Sequence, residues 1–310
     1  MDYLVTGGAG FIGSNIAEHL VGLGKSVRIF DNFSSGRREN LAAIEDKIEI
    51  VESDLRVIDA LRHAMNNVRY VLHLGAVPSV FRSVEDPHTT NQANVTGTLN
   101  VLLAARDAGV KRVVFSSSSS VYGDTPTLPK REDMTPSPLS PYAVQKLAGE
   151  YYCGIFRHLY GLETISLRYF NVFGPRQDPQ SQYAAVIPRF ITAILNGEPP
   201  AIYGDGRQTR DFSHVENIIS ANLAACDAPP EALGETFNIA CGDRISLLEL
   251  VETISTIAGK RVQPRFEAPR PGDIRDSQAD IKKARKLLHW TPGIDFHKGI
   301  EKVVAWYQQQ

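Results

Sequence analysis

Tyr142 and Lys146 are the first pair of residues in this 310-residue chain whose types and spacing could do chemistry. Residues four apart lie on one face of a helix. Ser140 is a good N-cap and Pro141 a good first helical residue, which would place Tyr142 in the first turn. The positive end of the helix dipole and the Lys146 ammonium would both lower the pKa of the phenol. We therefore predict that Tyr142 acts as a general base near neutral pH.

A run of serines from Ser116 to Ser120 follows a predicted strand. Hydroxyls at the carboxyl end of a parallel strand face the crevice where ligands bind, and they can relay the proton of a substrate oxygen. For Ser119 and Ser120 the alternative is a loop that hydrogen-bonds its own backbone. His73 and His214 are interpreted as packed structural residues.

The predicted cofactor site begins at a turn built from three glycines, Gly7, Gly10 and Gly13. The turn follows a strand and opens a helix, the context in which backbone N–H groups and the helix N-terminus bind a pyrophosphate. Asp31 ends the next strand, where a carboxylate accepts hydrogen bonds from the adenosine ribose and disfavours a 2′-phosphate. NAD is thus favoured over NADP, although Arg37 and Arg38 weaken the preference. The alternative is a glycine turn that binds no nucleotide.

Short apolar runs alternate with helical patterns in the first half of the chain. The predicted strands are Tyr3–Thr6, Val27–Asp31, Ile48–Val51, Tyr70–Leu74, Arg112–Ser116 and Thr164–Tyr169. The predicted helices are Ser14–Leu23, Val57–Asn66, Thr89–Asp107 and Pro141–Tyr160. This alternation indicates a doubly wound, Rossmann-type parallel sheet of the α/β class.

The alternation of predicted strands and helices ends after about Asn171, where Gly, Pro, Arg and Gln cluster. We predict an NAD-binding domain over residues 1–172 and a smaller α+β substrate domain over residues 173–310. Residues from about 211 to 240 are expected to rejoin the first domain, because Phe237–Ala240 reads as another sheet strand.

Composition excludes several classes of protein. Hydrophobic residues are 43%, charged residues 22% and the formal net charge is −2, which argues against nucleic-acid binding through bulk positive charge. No apolar run reaches the roughly 18 residues of a membrane span. Cys153, Cys226 and Cys241 lie far apart, so neither a metal site nor a disulfide framework is indicated. We expect reduced thiols and a cytoplasmic location.

Three motifs together resemble the extended short-chain dehydrogenase/reductase family. The glycines are spaced G-x-x-G-x-x-G, Asp54-Leu55 follows the third strand, and His73-Leu74-Gly75-Ala76 ends the fourth. Gly75 departs from the alanine more usual in the family, but it is also small. The resemblance implies bound NAD, a catalytic serine at Ser118 and the roles given above to Tyr142 and Lys146.

The cofactor-binding residues that the sequence and the resemblance imply are Gly7, Gly10, Phe11, Ile12, Gly13, Asp31, Asn32, Ser35, Gly36, Asp54, Leu55, Leu74, Gly75, Ala76, Asn94, Ser116, Tyr142, Lys146 and Tyr169. The implied substrate-binding residues are Ser118, Ser119, Ser120, Tyr142, Asn171, Ala185, Val186, Ala201, Tyr203, Arg210, Arg270, Asp273 and Ser277.

Within that family, sugar-nucleotide dehydratases and decarboxylases place an acidic residue just before V-Y-G. Ser118 to Ser120 occupy this loop here. The whole chain is similar to UDP-hexose 4-epimerases, in which a tyrosinate takes the 4-hydroxyl proton, NAD takes hydride from carbon 4, and the 4-keto sugar rotates before hydride returns. The alternatives are an epimerase restricted to non-acetylated sugars, a UDP-glucuronate 4-epimerase, a net reductase, and a non-catalytic NAD-binding regulator.

The resemblance also implies how the second half of the chain binds a UDP-sugar. Arg168-Tyr169-Phe170-Asn171 matches the family's R-Y-F-N, and Arg210 and Arg270 match its two diphosphate-binding arginines. Tyr203 is placed to stack on uracil. Ser277 matches a gate position at which a small residue goes with acceptance of 2-acetamido sugars. The relatives further imply a homodimer formed through Thr89–Asp107 and Pro141–Tyr160.

Overall fold

The computed structural model describes residues 1–178, 185–269 and 274–309. In that part of the chain the strands are β1 (Tyr3–Thr6), β2 (Val27–Asp31), β3 (Ile48–Glu52), β4 (Tyr70–His73), β5 (Arg112–Ser118), β6 (Glu163–Tyr169), β7 (Val172–Phe173), β8 (Ala201–Tyr203), β9 (Thr209–Arg210), β10 (Ser213–His214), β11 (Thr236–Ile239), β12 (Ile245–Ser246) and β13 (Arg265–Glu267). The α-helices are α1 (Phe11–Gly22), α2 (Ile58–Ala64), α3 (Val80–Glu85), α4 (Pro87–Asn91), α5 (Gly97–Asp107), α6 (Pro141–Tyr160), α7 (Val186–Leu195), α8 (Val215–Asp227), α9 (Leu247–Ala258), α10 (Lys282–Leu287) and α11 (Phe296–Tyr307).

Seven strands form one parallel sheet in the order β11-β6-β5-β4-β1-β2-β3. The order reverses direction between β1 and β4, which is the crevice where ligands of doubly wound folds bind. The predicted fold class is therefore confirmed. The six predicted strands all form, and β5 runs two residues further than expected, because Ser117 and Ser118 pair with Arg168 and Tyr169 of β6.

Alternate residues of the strands pack against helices on opposite faces of the sheet. Val5 of β1 lies in a buried cluster with Ile16 of α1 and Ile218 of α8. Leu4, its neighbour in β1, lies in the cluster on the other face with Phe156 of α6. Both faces are thus covered, which explains why the strands read as nearly continuous apolar runs.

The helix predicted over Thr89–Asp107 is not one regular helix. The chain forms α4, then a π-helical turn over Gln92–Thr96, then α5. Asn94 lies in that turn and is buried. The prediction of Pro141–Tyr160 is confirmed to the residue by α6.

The second half of the chain builds its own apolar cluster. Helices α7, α9 and α11 bury Ile191, Ile254 and Ile300 together. Strand β11 instead pairs with β6 of the main sheet, as expected for Phe237–Ala240. The exact division of the chain into two domains stays a prediction. No helix among the described residues is long and apolar enough to cross a lipid bilayer.

Candidate active site

The glycine turn between β1 and α1 leaves no room for side chains. Gly7 has a positive φ of 66°, and a Cβ there would lie 2.8 Å from the Cα of Gly75. A Cβ on Gly13 would lie 2.3 Å from the carbonyl oxygen of Gly7. Gly10 caps α1 without a side-chain acceptor, so the first amides of the helix receive no side-chain cap. This is an anion-binding cradle of the kind that holds a pyrophosphate.

A groove of about 420 Å³ extends from this turn across the carboxyl ends of the central strands. The predicted cofactor residues that line it are Gly7, Gly10, Phe11, Ile12, Gly13, Asp31, Asn32, Ser35, Gly36, Asp54, Leu55, Leu74, Gly75, Ala76, Ser116, Tyr142, Lys146 and Tyr169. The dimensions and the uncapped helix end fit a dinucleotide.

Two carboxylates lie at one end of the groove. Asp31 accepts hydrogen bonds from the backbone N–H groups of Ala9 (2.9 Å) and Phe33 (2.8 Å), and burial raises its pKa. Asp54 accepts two bonds from the Arg56 guanidinium, which lowers the pKa of Asp54 to about 2. Asp31 is thus fixed beside the glycine turn, and each of its oxygens has a lone pair left for a further donor.

Asn94 is the predicted cofactor residue that the structure does not place on the groove. Its amide nitrogen donates to the carbonyl of Val77 (3.2 Å) and to Gln145 (2.8 Å), while its oxygen accepts from the Val77 N–H (2.7 Å). Every hydrogen of the side-chain amide is therefore used inside the protein. Asn94 connects the loop after β4 to α6, and direct contact between Asn94 and the cofactor stays a prediction.

The predicted catalytic residues come together at the other end of the groove. Ser140 caps α6 by accepting from the Ala143 N–H at 3.2 Å, which places Tyr142 in the first turn as expected. The Tyr142 hydroxyl forms a hydrogen bond with Ser118. Lys146 is buried one turn later, and its ammonium donates to the Ser116 carbonyl at 2.7 Å. The ammonium lies 5.9 Å from the centre of the Tyr142 ring.

The predicted lowering of the Tyr142 pKa is wrong for the chain without a bound cofactor. Burial raises the pKa of Tyr142 to about 12, and only the Ser118 hydrogen bond opposes that shift. Burial also lowers the pKa of Lys146 to about 8. Both shifts have one main cause: removal from water penalises the charged form of each group, the phenolate of Tyr142 and the ammonium of Lys146. A positive charge in the groove would favour the phenolate and return Tyr142 toward the neutral range.

The serines of the run from Ser116 to Ser120 differ in what their side chains contact. Ser118 and Ser119 line the groove, whereas Ser120 does not; its N–H donates to the Ser118 hydroxyl at 3.2 Å. The Ser120 hydroxyl itself is buried without a hydrogen-bond partner among the described residues, so its role in substrate binding stays a prediction. Ser117 also borders the groove, but its hydroxyl donates to Glu150 at 2.5 Å.

Glu150 and Arg168 form a buried ion pair that the sequence reasoning missed. The guanidinium donates to both carboxylate oxygens at 2.8 and 2.7 Å, and its carbon lies 4.7 Å from the centre of the Tyr122 ring. The pair joins α6, β6 and, through Ser117, β5. The only sequence signal was the four-residue spacing of Lys146 and Glu150, which is common on any helix.

The predicted substrate residues fall in three places. Asn171 lines the main groove beside Ser118 and Tyr142. Tyr203 lines a second hollow of about 260 Å³ with Gln208 and Arg275, two residues that sequence reasoning missed. Ala201 and Arg210 lie in β8 and β9, and Ala185 and Val186 lie at the start of α7. Arg270 and Asp273 lie outside the described residues.

Ser277 connects to the groove through Asn171. The Asn171 amide donates to the Ser277 hydroxyl at 3.2 Å and to the Asp211 carbonyl at 3.1 Å. The Asp211 side chain, fully buried and not anticipated from the sequence, accepts N–H bonds from Cys241, Gly242 and Ala279. Asp211 therefore holds the chain just after Ser277 in place.

The two histidines are packed residues, as interpreted from the sequence. His73 is buried between the hydroxyls of Thr6 (2.7 Å) and Thr98 (3.0 Å), and burial lowers its pKa to about 3. His214 is buried at the N-cap of α8, and burial lowers its pKa to about 4. The three cysteines are free thiols, and among the described residues no three His, Cys, Asp or Glu side chains cluster as metal ligands would.

Residues 3–240 match the NAD dependent epimerase/dehydratase family. The chain belongs to this family. A UDP-glucose 4-epimerase from Mycolicibacterium smegmatis is 41% identical over 316 residues, covering 100% of this chain and 99% of that protein. A UDP-N-acetylglucosamine 4-epimerase from Methanobrevibacter ruminantium, solved with UDP-N-acetylmuramic acid, has a TM-score of 0.95 at 42% identity, with 100% of this chain and 98% of that chain covered.

A second solved member of the epimerase/dehydratase family is similar over its full length. The Thermotoga maritima UDP-glucose 4-epimerase, solved with UDP-glucose, has a TM-score of 0.94 at 35% identity, with 100% of this chain and 99% of that chain covered. Family membership identifies NAD as the cofactor, and the glycine cradle and Asp31 fit it. When bound, oxidised NAD supplies a hydride acceptor whose nicotinamide ring is positively charged.

We predict that Tyr142→Phe lowers kcat by about 10²-fold or more, because the phenol oxygen is the predicted proton acceptor. UDP-sugar affinity, measured by calorimetry, should change little, since the ring stays. Tyr151→Phe is a matched control: it removes a hydroxyl from an exposed tyrosine of the same helix. A kcat of Tyr142→Phe near that of the control would remove the phenol from the mechanism.

Proposed function

We propose that this protein interconverts the C4 epimers of UDP-hexoses and that it accepts the 2-acetamido sugars as well as glucose and galactose. The observation that carries the reaction type is the hydrogen bond between Tyr142 and Ser118 on the same groove as the glycine cradle. In this proposal a proton acceptor and a hydroxyl relay lie next to the site of a hydride acceptor.

The chain's own residues then have separate tasks. Tyr142 takes the proton of the sugar 4-hydroxyl, and Ser118 holds that oxygen by a hydrogen bond. Lys146, anchored on the Ser116 carbonyl, keeps a positive charge near the phenolate. Reversal of the reaction after the 4-keto sugar has rotated needs the same proton to return from Tyr142, so one acid/base group serves both directions.

Epimerisation fits this site better than dehydration. Loss of water requires an additional acid beside the sugar, and the serine run supplies only hydroxyls there. The carboxylates among the described lining residues are Asp31, which ends β2, and Asp54, which follows β3, at the other end of the groove. A reductase would need a hydride donor replaced at every turnover, whereas epimerisation regenerates oxidised NAD.

The breadth of substrates rests on Ser277. Its hydroxyl reaches Asn171, which lines the groove beside Tyr142, so this position borders the space for the sugar. An N-acetyl group adds several heavy atoms at carbon 2, and a filled pocket absorbs such a group only with strain of roughly 1–3 kcal/mol. A serine leaves volume that a tyrosine would fill.

The test is a panel of UDP-sugars incubated with the protein without added cofactor, followed by separation of the C4 epimers. We expect epimers from UDP-glucose, UDP-galactose and both acetylated sugars. Turnover of UDP-glucuronate alone, or consumption of added NADPH in proportion to product, would favour the corresponding alternative instead.

We predict that Ser277→Tyr abolishes use of UDP-N-acetylglucosamine and spares UDP-galactose, because the ring occupies the space for the acetyl group. Ser277→Ala is the matched control; it removes the hydroxyl bonded to Asn171 but keeps the volume, and it should use both sugars. Equal losses on both sugars in Ser277→Tyr would contradict the gate.

The proposal includes a homodimer. Helix α6 carries an exposed apolar stripe. At least half of the surface of each of its residues is exposed: Val144 (52%), Tyr151 (60%), Ile155 (50%) and Leu159 (62%). Exposed apolar residues of α3, Val80, Phe81 and Val84, add to the apolar surface of this part of the chain. Contiguous apolar surface of this kind is typical of subunit contacts. The cytoplasmic location and the absence of nucleic-acid and membrane partners stay predictions.

We predict that Ile155→Glu converts the dimer into a monomer, since the change buries a carboxylate in an apolar contact. Sedimentation velocity measures the mass directly. Leu248→Glu, on an exposed position of α9, is the control and should leave the mass unchanged. A monomeric wild-type protein at micromolar concentration would overturn the assignment of this surface.

A further inference from the structure

The segment from Gly174 to Asp178 leaves β7 and passes along the outside of the cofactor groove. Arg176, at its centre, has a positive φ of 68°, which is uncommon for a residue with a side chain. Its side chain is only 17% exposed. A partly buried guanidinium on a left-handed backbone indicates that the surrounding contacts determine its position.

The guanidinium of Arg176 contacts two separate parts of the chain. It donates to the backbone carbonyl of Asn40 at 2.9 Å and to the side-chain oxygen of Asn15 at 3.3 Å, and it forms an ion pair with Glu18. Asn15 and Glu18 belong to α1, whereas Asn40 follows β2. The Asn15 amide also donates to the Pro175 carbonyl at 3.1 Å, so the contact is made from both sides.

These two parts of the chain both line the groove. Helix α1 contributes Phe11, Ile12 and Gly13 to its lining, and the loop after β2 contributes Ser34 to Gly36. Asn40 itself bonds the Ala9 carbonyl of the glycine turn at 2.9 Å. A single side chain from the second half of the chain therefore connects the wall that faces the pyrophosphate with the wall that faces the adenosine ribose.

A second bond links the same segment to the loop after β2. Asp178 lies 2.5 Å from the Arg37 guanidinium, with side chains 31% and 59% exposed. An exposed ion pair alone contributes little. Beside Arg176 it adds a second point at which the segment is attached to this wall.

We propose that Arg176 is a cofactor-retention residue: it holds α1 and the loop after β2 together and so slows the dissociation of NAD. A dinucleotide that contacts both parts of the chain leaves more easily when they separate, and the Arg176 contacts oppose that separation. The proposal concerns NAD alone and does not depend on which UDP-sugar the protein uses.

The test measures NAD release from protein that has been loaded with NAD and then freed of excess nucleotide. At intervals after dilution the protein is removed by ultrafiltration, and NAD in the filtrate is determined enzymatically. Arg176→Met keeps the length of the side chain and removes its charge and hydrogen bonds. We expect NAD to dissociate about tenfold faster or more, because charge-assisted hydrogen bonds between the walls are lost.

Two further variants separate retention from a general loss of stability. Glu18→Gln removes one partner on a half-exposed position and should speed release by a smaller factor. Arg38→Met removes a neighbouring exposed arginine that pairs with Glu52 and does not bond the 174–178 segment, and it should release NAD at the wild-type rate. If Arg176→Met does not fold, Glu18→Gln decides.

Thermal unfolding supplies a readout that a purely structural role would not move. For Arg176→Met, we expect the rise in Tm on adding NAD to require a higher NAD concentration than in the wild type, since affinity sets that concentration. Wild-type release rates in both Arg176→Met and Glu18→Gln would overturn the proposal. So would equal acceleration in Arg38→Met, because the effect would then not belong to the 174–178 segment.

Discussion

The close approach of the chain at Gly7 and Gly75 sets the position of everything else in the site. Strands β1 and β4 are neighbours in parallel register, so both chains leave the sheet at the same edge. A Cβ on Gly7 would come within 2.8 Å of the Gly75 backbone, and a Cβ on Gly75 would lie 3.0 Å from Leu55. A larger residue at Gly7 would therefore push the two loops apart, whereas a Cβ on Gly75 would first meet the movable end of the Leu55 side chain.

A chain of hydrogen bonds stabilises the close approach of Gly7 and Gly75. The Gly75 N–H donates to the Thr6 hydroxyl at 3.1 Å, which leaves that hydroxyl to donate to Nδ1 of His73. Nε2 of His73 then donates to the Thr98 hydroxyl, which in turn donates to the Asn94 carbonyl at 2.6 Å. These donor roles are those of a neutral His73, in agreement with its low pKa. His73 thus acts on the site indirectly: its hydrogen bonds to Thr6 and Thr98 stabilise the chain beside the cofactor groove.

Sequence reasoning was strongest where a local pattern determines local structure. The parallel strands, α6 and its Ser140 cap, and the glycine turn follow from apolar runs, capping residues and glycine spacing. The strands β7 to β10 and β12 are two or three residues long, too short to show a period. Arg176, Asp211 and the Glu150–Arg168 pair were missed because their partners lie far away in sequence. The direction of the Tyr142 pKa was wrong because the sequence does not show burial, which raises it.

The preference for NAD over NADP rests mainly on Asp31, and the pairing of two nearby arginines adds to it. Arg37 and Arg38 lie close in sequence to Asp31, and either could in principle neutralise a 2′-phosphate. In the structure Arg37 pairs with Asp178, and Arg38 pairs with Glu52 and stacks on the Phe33 ring. A 2′-phosphate would have to displace one of these carboxylates while facing the negative charge of Asp31. The bond between Arg37 and Asp178 therefore serves two purposes: it attaches the 174–178 segment to the cofactor loop and removes a cation that NADP would need.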